Sequence, residues 1–242
     1  GSAAVHLGLT ENGKATRLTF SGDIGRYNDL LLRSPQQFDQ ADYIILESTY
    51  GNSLHREQEP IEEQLLEIIH QTCTIRKGSV FIPAFSIGRT QEILYALNGL
   101  ELAGRLPDIP YYVDSPLAAQ ATQVLKNHPE VYNSSVKEVM KSDDDIFSFK
   151  GLKFIESATE SKSLHNNPRP AVIIASSGMA EGGRIRHHIH RYVANAKNTI
   201  LLVGYCDPYS LAGKLMNLPK GCAVAGQRLA LPRLQPRCRA AA

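Results

Sequence analysis

The sequence predicts an α/β protein built on a mainly parallel sheet, and three observations carry that expectation. Short β-branched runs alternate with amphipathic segments along most of the chain. Two of those runs, "VIIA" and "ILLV", are almost continuously apolar, as strands buried on both faces are. No internal repeat and no low-complexity linker interrupts the rhythm.

In chain order, the opening segment reads as the strands "AAVHLGL", "ATRLTF" and "YIILE". The first two are joined by "ENGK", whose Asn12-Gly13 pair suits the positive φ angles of a tight hairpin, so an antiparallel meander is expected to precede the α/β region. Strand then pairs with helix. "DYIILE" leads to "PIEEQLLEIIHQT", "SVFIPAF" to "RTQEILYALNGL", "PYYVD" to "SPLAAQATQVLKN" and "AVIIASS" to "GGRIRHHIHRYV", before "TILLVGY". In the first of these helices Ile61, Leu65, Ile68, Ile69 and Thr72 share one stripe, which leaves His70 facing solvent. Ser115 followed by Pro116 is a strong helix start, a capping hydroxyl and a proline at the first helical position; Ser176 and Ser177 play that part more loosely before "GMAEGGR".

Composition sets bounds. With 242 residues, 43% of them hydrophobic, the chain can bury a sizeable core. No signal-peptide pattern opens it and its apolar runs fall far below the ~20 residues of a membrane span, so a soluble, cytoplasmic protein with no membrane partner is expected. Cys73, Cys206, Cys222 and Cys238 show no C-x-x-C spacing and read as reduced thiols. Residues 221–242 hold four arginines and no acid, so that the formal charge of +2 becomes −2 over residues 1–220. That segment lacks helical or alternating periodicity and is expected to be a non-native tail.

Chemistry is expected at the strand ends, because helices that follow parallel strands aim unpaired N–H groups at that edge. Ser86, Arg89, Ser115, Ser176, Ser177 and Arg184 fall at such ends, and their hydroxyl and guanidinium groups suit phosphate oxygens. In "HHIH", helical spacing turns Ile185, Ile189 and Tyr192 to the core, projects His187 and His190 away from it and puts His188 at the flank. Asp23 and Glu47 each end an early strand, places suited to metal or acid-base work, yet no histidine set accompanies Asp23.

The motifs "FSGDIGR", "ADYIILESTYGN", "SVFIPAFSIGRTQEILYAL", "YYVDSPLA", "VIIASSGMAEGGRIRHHI" and "NTILLVGYCDPYSLAGKL", in this order, resemble the β-CASP group of metallo-β-lactamase-fold nucleases. The resemblance covers residues 1–216 and implies a β-CASP domain, a parallel sheet flanked by helices, with partial strands of a metallo-β-lactamase αβ/βα sandwich. It divides the chain into a partial metallo-β-lactamase domain (1–51), the β-CASP domain (52–206), a return towards the first domain (207–220) and the tail (221–242). It makes Asp23 the ligand that bridges two zinc ions, Glu47 an active-site acid, and the serine and arginine loops an RNA-facing edge. The histidine motif H-x-H-x-D-H of the group is absent, and Lys214 stands where some relatives have a histidine. The expectation is therefore an internal fragment of a zinc-dependent ribonuclease, inactive by itself and not retaining zinc. The alternatives are a non-catalytic β-CASP subunit that binds RNA or serves assembly, and a metallohydrolase of small phosphoesters.

Overall fold

The computed structural model describes residues 3–51, 60–217, 223–224 and 227–228. Apart from a short pair of strands, the expected tail lies outside the described residues. The chain divides into two compact units, Gly1–Arg56 with His128–Asp143, and Glu57–Asn127 with Asp144–Ala242.

In the first unit, β1 (Val5–Glu11) and β2 (Lys14–Phe20) form an antiparallel hairpin with Glu11 opposite Lys14. Asn12 and Gly13 turn it with φ of 51° and 77°, as the Asn-Gly pair predicts. The expected meander stops there. β3 (Tyr43–Ile45) pairs with β2 in parallel, Leu18 against Tyr43 and Phe20 against Ile45. A connection too long for a hairpin carries the chain back, so β3 starts at the same end of the sheet as β2. Part of that connection pairs elsewhere in the unit: Leu31 is fully buried, its carbonyl accepts from Asn133 N–H, and the Asn133 amide donates to the carbonyls of Asp29 and Leu30.

The second unit is the α/β body. Its helix α1 (Ile61–Ile69) buries Leu65, Ile68 and Ile69, while His70 is exposed as its place on the helix predicts. A π-helical turn, His70–Ile75, follows and buries Thr72 and Cys73. Then come β4 (Val80–Pro83), α2 (Arg89–Leu102), β5 (Tyr111–Val113) and α3 (Pro116–Lys126). The first unit takes back the short α4 (Ser134–Val139). β6 (Leu152–Phe154), α5 (Ala158–Ser163), β7 (Val172–Ala175), α6 (Gly183–Tyr192), β8 (Thr199–Ile200) and α7 (Leu211–Asn217) complete the body, and β9 (Ala223–Val224) pairs antiparallel with β10 (Gln227–Arg228).

The five strands order as β6-β5-β7-β4-β8, each neighbouring pair parallel. β4 and β7 are buried along their whole length, which is why their sequences do not alternate. One face of the sheet packs Phe81, Ile173 and Ala175 against Ile185, Ile189 and Val193 of α6 and its end, and against Ala212 and Leu215 of α7. Each of the valine, leucine, isoleucine and phenylalanine side chains among them contributes about 1.5–3 kcal/mol when fully buried.

The order of strands positions the site. From β4 and β5 the chain leaves towards β6, whereas from β7 it leaves towards β8. Adjacent parallel strands whose connections diverge open a crevice at their carboxyl ends. β5 and β7 are such a pair, so the crevice opens between them.

Candidate functional site

Ser86, Ser115 and Ser176 stand at the ends of β4, β5 and β7, and the structure joins them. The hydroxyls of Ser86 and Ser115 share a hydrogen bond of 3.0 Å, and those of Ser115 and Ser176 one of 3.3 Å. Ser115 also caps α3, accepting from Ala118 N–H at 3.2 Å, with Pro116 next in the chain. Buried Gln91 fixes the Ser86 loop. Its amide donates to the Ser86 carbonyl and to Thr122 Oγ1, and its own oxygen accepts from Gly88 N–H. Beside these hydroxyls Phe85 is 50% exposed, its ring so close to Gly178 that a Cβ there would lie 2.8 Å from it.

The remaining predicted groups take other places. Ser177 is not a helix cap: α6 begins at Gly183, and the Ser177 hydroxyl accepts from Gly182 N–H within the loop. Nor does Ser176 cap it, since its hydroxyl turns to Ser115. Arg89 pairs with Glu92 one turn along α2. Arg184 donates to Asp114 at 2.8 Å and to the carbonyls of Ile155 and Glu156 at 2.9 and 2.7 Å, so its guanidinium binds protein on several sides.

Asp114, immediately before Ser115, is the hub that sequence reasoning passed over. Its side chain is 0% exposed and accepts from Arg184, from Ser161 Oγ at 2.6 Å and from His188 Nε2 at 2.7 Å. Burial alone would push its carboxyl up; the bonds from His188, Ser161 and Arg184 outweigh burial and hold it below its usual value. The structure thereby corrects the place of His188. It is 1% exposed, on the buried face of α6 between Ile185 and Ile189, where the Asp114 carboxylate partners its Nε2 while its Nδ1 has no hydrogen-bond partner among the described residues. His187 and His190 are exposed as expected. The available signal was the aspartate in "VDSPLA", polar at the end of an apolar strand.

In the first unit, the parallel pairing of β2 and β3 puts Asp23 and Glu47 beyond the same end of the sheet. Ser21 Oγ accepts from Glu47 N–H at 3.0 Å, which ties the two segments together. The Glu47 carboxylate accepts from Thr49 N–H at 2.9 Å, and the bonds from Thr49 and Ile24 hold its carboxyl below the usual range. Among the described residues no group of three or more His, Cys, Asp or Glu side chains is arranged to hold a metal ion. Zinc sites take at least three protein ligands, and this end of the sheet presents the two carboxylates Asp23 and Glu47.

Similarity to known proteins bears on this geometry. The family model for the Beta-Casp domain matches residues 90–215. The chain is 32% identical to "Ribonuclease TTHA0252" of Thermus thermophilus over 92% of its own length and 51% of the relative. It is 33% identical to an "RNase J-like protein" of Methanocaldococcus jannaschii (85% and 46%) and 31% identical to "Transcription termination factor FttA" of the same organism (90% and 34%). The chain thus spans about half the length of these relatives, or less.

Proposed function

The chain belongs to the Beta-Casp family, and from that premise we propose that it is the RNA-handling part of a zinc-dependent ribonuclease that hydrolyses phosphodiester bonds. The observation that carries this reading is the run of three hydroxyls, Ser86, Ser115 and Ser176, beyond the carboxyl ends of β4, β5 and β7. Hydroxyl donors among helix N-termini suit the oxygens of a phosphodiester. Exposed Phe85 adds a ring on which an unpaired base can stack, and such stacking is worth about 1–3 kcal/mol per base. The ribonuclease names of two relatives support RNA as the substrate.

In this reading Ser177, Arg89 and Arg184 shape the RNA-facing loops. Asp23 is proposed as a zinc ligand and Glu47 as an active-site acid of the whole protein. Zinc would lower the pKa of a bound water and neutralise charge on the scissile phosphate.

Fluorescence anisotropy with single-stranded RNA tests the edge. Ser176→Asp puts a negative charge beside the phosphates and is expected to weaken binding roughly tenfold; unchanged affinity in a folded variant removes the serine edge from the RNA path. In the whole protein, Asp23→Ala is expected to abolish cleavage while RNA binding persists. RNA binding by the unmutated whole protein with no cleavage in the presence of zinc would instead favour a non-catalytic RNA-binding module, a reading that the relative named as a transcription termination factor keeps in view.

A further inference from the structure

Residues 161–206 contain six lysines and arginines and a single acid, Glu181, in a chain whose formal charge is only +2. The imbalance is greatest on α6, which carries no carboxylate. At about 100° per residue, Arg186, His187, His190 and Arg191 fall within an arc of roughly 140°. All four are exposed, while Ile185, His188 and Ile189 occupy the opposite, buried face.

Among the described residues no carboxylate neutralises this arc. Among the described residues neither Arg186 nor Arg191 is paired with a carboxylate; Arg186 reaches the carbonyl of Glu181 at 3.5 Å, and Arg191 lies 5.9 Å from the ring centre of Tyr192. The Glu181 carboxylate is turned to the Leu211 N–H at the start of α7. Asp114 is enclosed by His188, Ser161 and Arg184. The field is felt nearby: burial first, and then His188, Arg191 and His187, push the His165 imidazole below its usual value. The arc starts one turn from the loop that bears Ser176, so it adjoins the serine edge at one end and leads away from it along the helix.

We propose that the exposed face of α6 is a second RNA contact, a track for the phosphate backbone that Arg186 and Arg191 neutralise and whose bases stack on the rings of His187 and His190. The proposal rests on the reading of the chain as RNA-handling and adds where the strand runs beyond the serine edge. Guanidinium and imidazole planes side by side favour RNA over an acidic peptide, which has no bases to stack on them.

The test uses the 242-residue chain and two labelled oligouridylates, of about five and about twenty nucleotides, titrated at several salt concentrations. In Arg186→Ala/Arg191→Ala, affinity for the long probe is expected to fall roughly tenfold and its logarithmic salt slope by about 1.4, while the short probe binds as before. His187→Ala/His190→Ala is expected to weaken the long probe with its salt slope unchanged. An arginine variant that folds and keeps the wild-type slope overturns the track and leaves the serine edge standing. No binding of either probe by the wild type overturns the track and the RNA-handling reading together. Displacement by polyglutamate as effective as by oligouridylate of equal charge assigns the face to acidic peptides instead and overturns the proposal.

Discussion

Asp114 shows what a single residue does here: one carboxylate ties the end of β5 to α5 and α6 through Ser161, Arg184 and His188. Removing one partner of a buried ion pair leaves the other uncompensated, so Asp114→Ala is expected to cost roughly 3–5 kcal/mol in denaturant unfolding. The pH dependence follows from the lowered carboxyl. A group titrating lower folded than unfolded gives stability that is full above the unfolded value, about 4, and is lost as pH falls through the folded one. Acid unfolding should show that loss below about pH 4, and Asp114→Asn should remove it. Cys73 gives a second check: burial pushes its thiol up to about 12, so in native protein it should escape alkylation that reaches half-buried Cys206. The sequence quotes Asp114 in a motif, yet its partners lie 47, 70 and 74 residues away, which no local pattern reveals.

At the scale of elements, what is local was legible. The Asn12-Gly13 hairpin, the stripe on α1 and the Ser115-Pro116 start of α3 each depend on neighbours within a turn, and all three stand in the structure. The parallel return of β3 was not, because the connection after Phe20 is long, and turn residues such as Gly22, Gly25 and Pro35 do not fix the direction in which such a connection returns. The start of α6 was misplaced for a related reason: two serines in a row look like caps, but the chain loops on to Gly183. There φ is +68° and a Cβ would lie 2.1 Å from the Ser176 carbonyl oxygen, so Gly183→Ala should cost more than about 1 kcal/mol and loosen the Ser176 loop. Burial sets the scale elsewhere. Ile189→Ala, in the core under α6, should cost about 2–5 kcal/mol, whereas Leu9→Lys, on a strand exposed throughout, should change the stability of this chain by no more than about 0.5 kcal/mol.

For the whole molecule, two kinds of chemistry sit in separate units, and they differ in how complete they are. The serine edge and the basic face of α6 draw all their groups from the second unit, so the proposed contacts to RNA call on that unit alone. The carboxylates Asp23 and Glu47 belong to the first unit, where no third ligand joins them among the described residues. The resemblance to a zinc nuclease was legible in motifs; the ligand set was not, because the histidine motif of the group does not occur in these residues. Binding and metal should therefore separate in experiment. Two carboxylates at a solvent-exposed edge hold zinc weakly, since a stable site needs three or four protein ligands and at least one softer donor is usual. Chelator-washed protein is expected to carry less than about one zinc per chain by elemental analysis while still binding RNA at low salt. Retention of about two zinc ions would mean that residues outside those described complete the site with Asp23. RNA binding that disappears on chelation would move the nucleic-acid contact from the second unit to the metal.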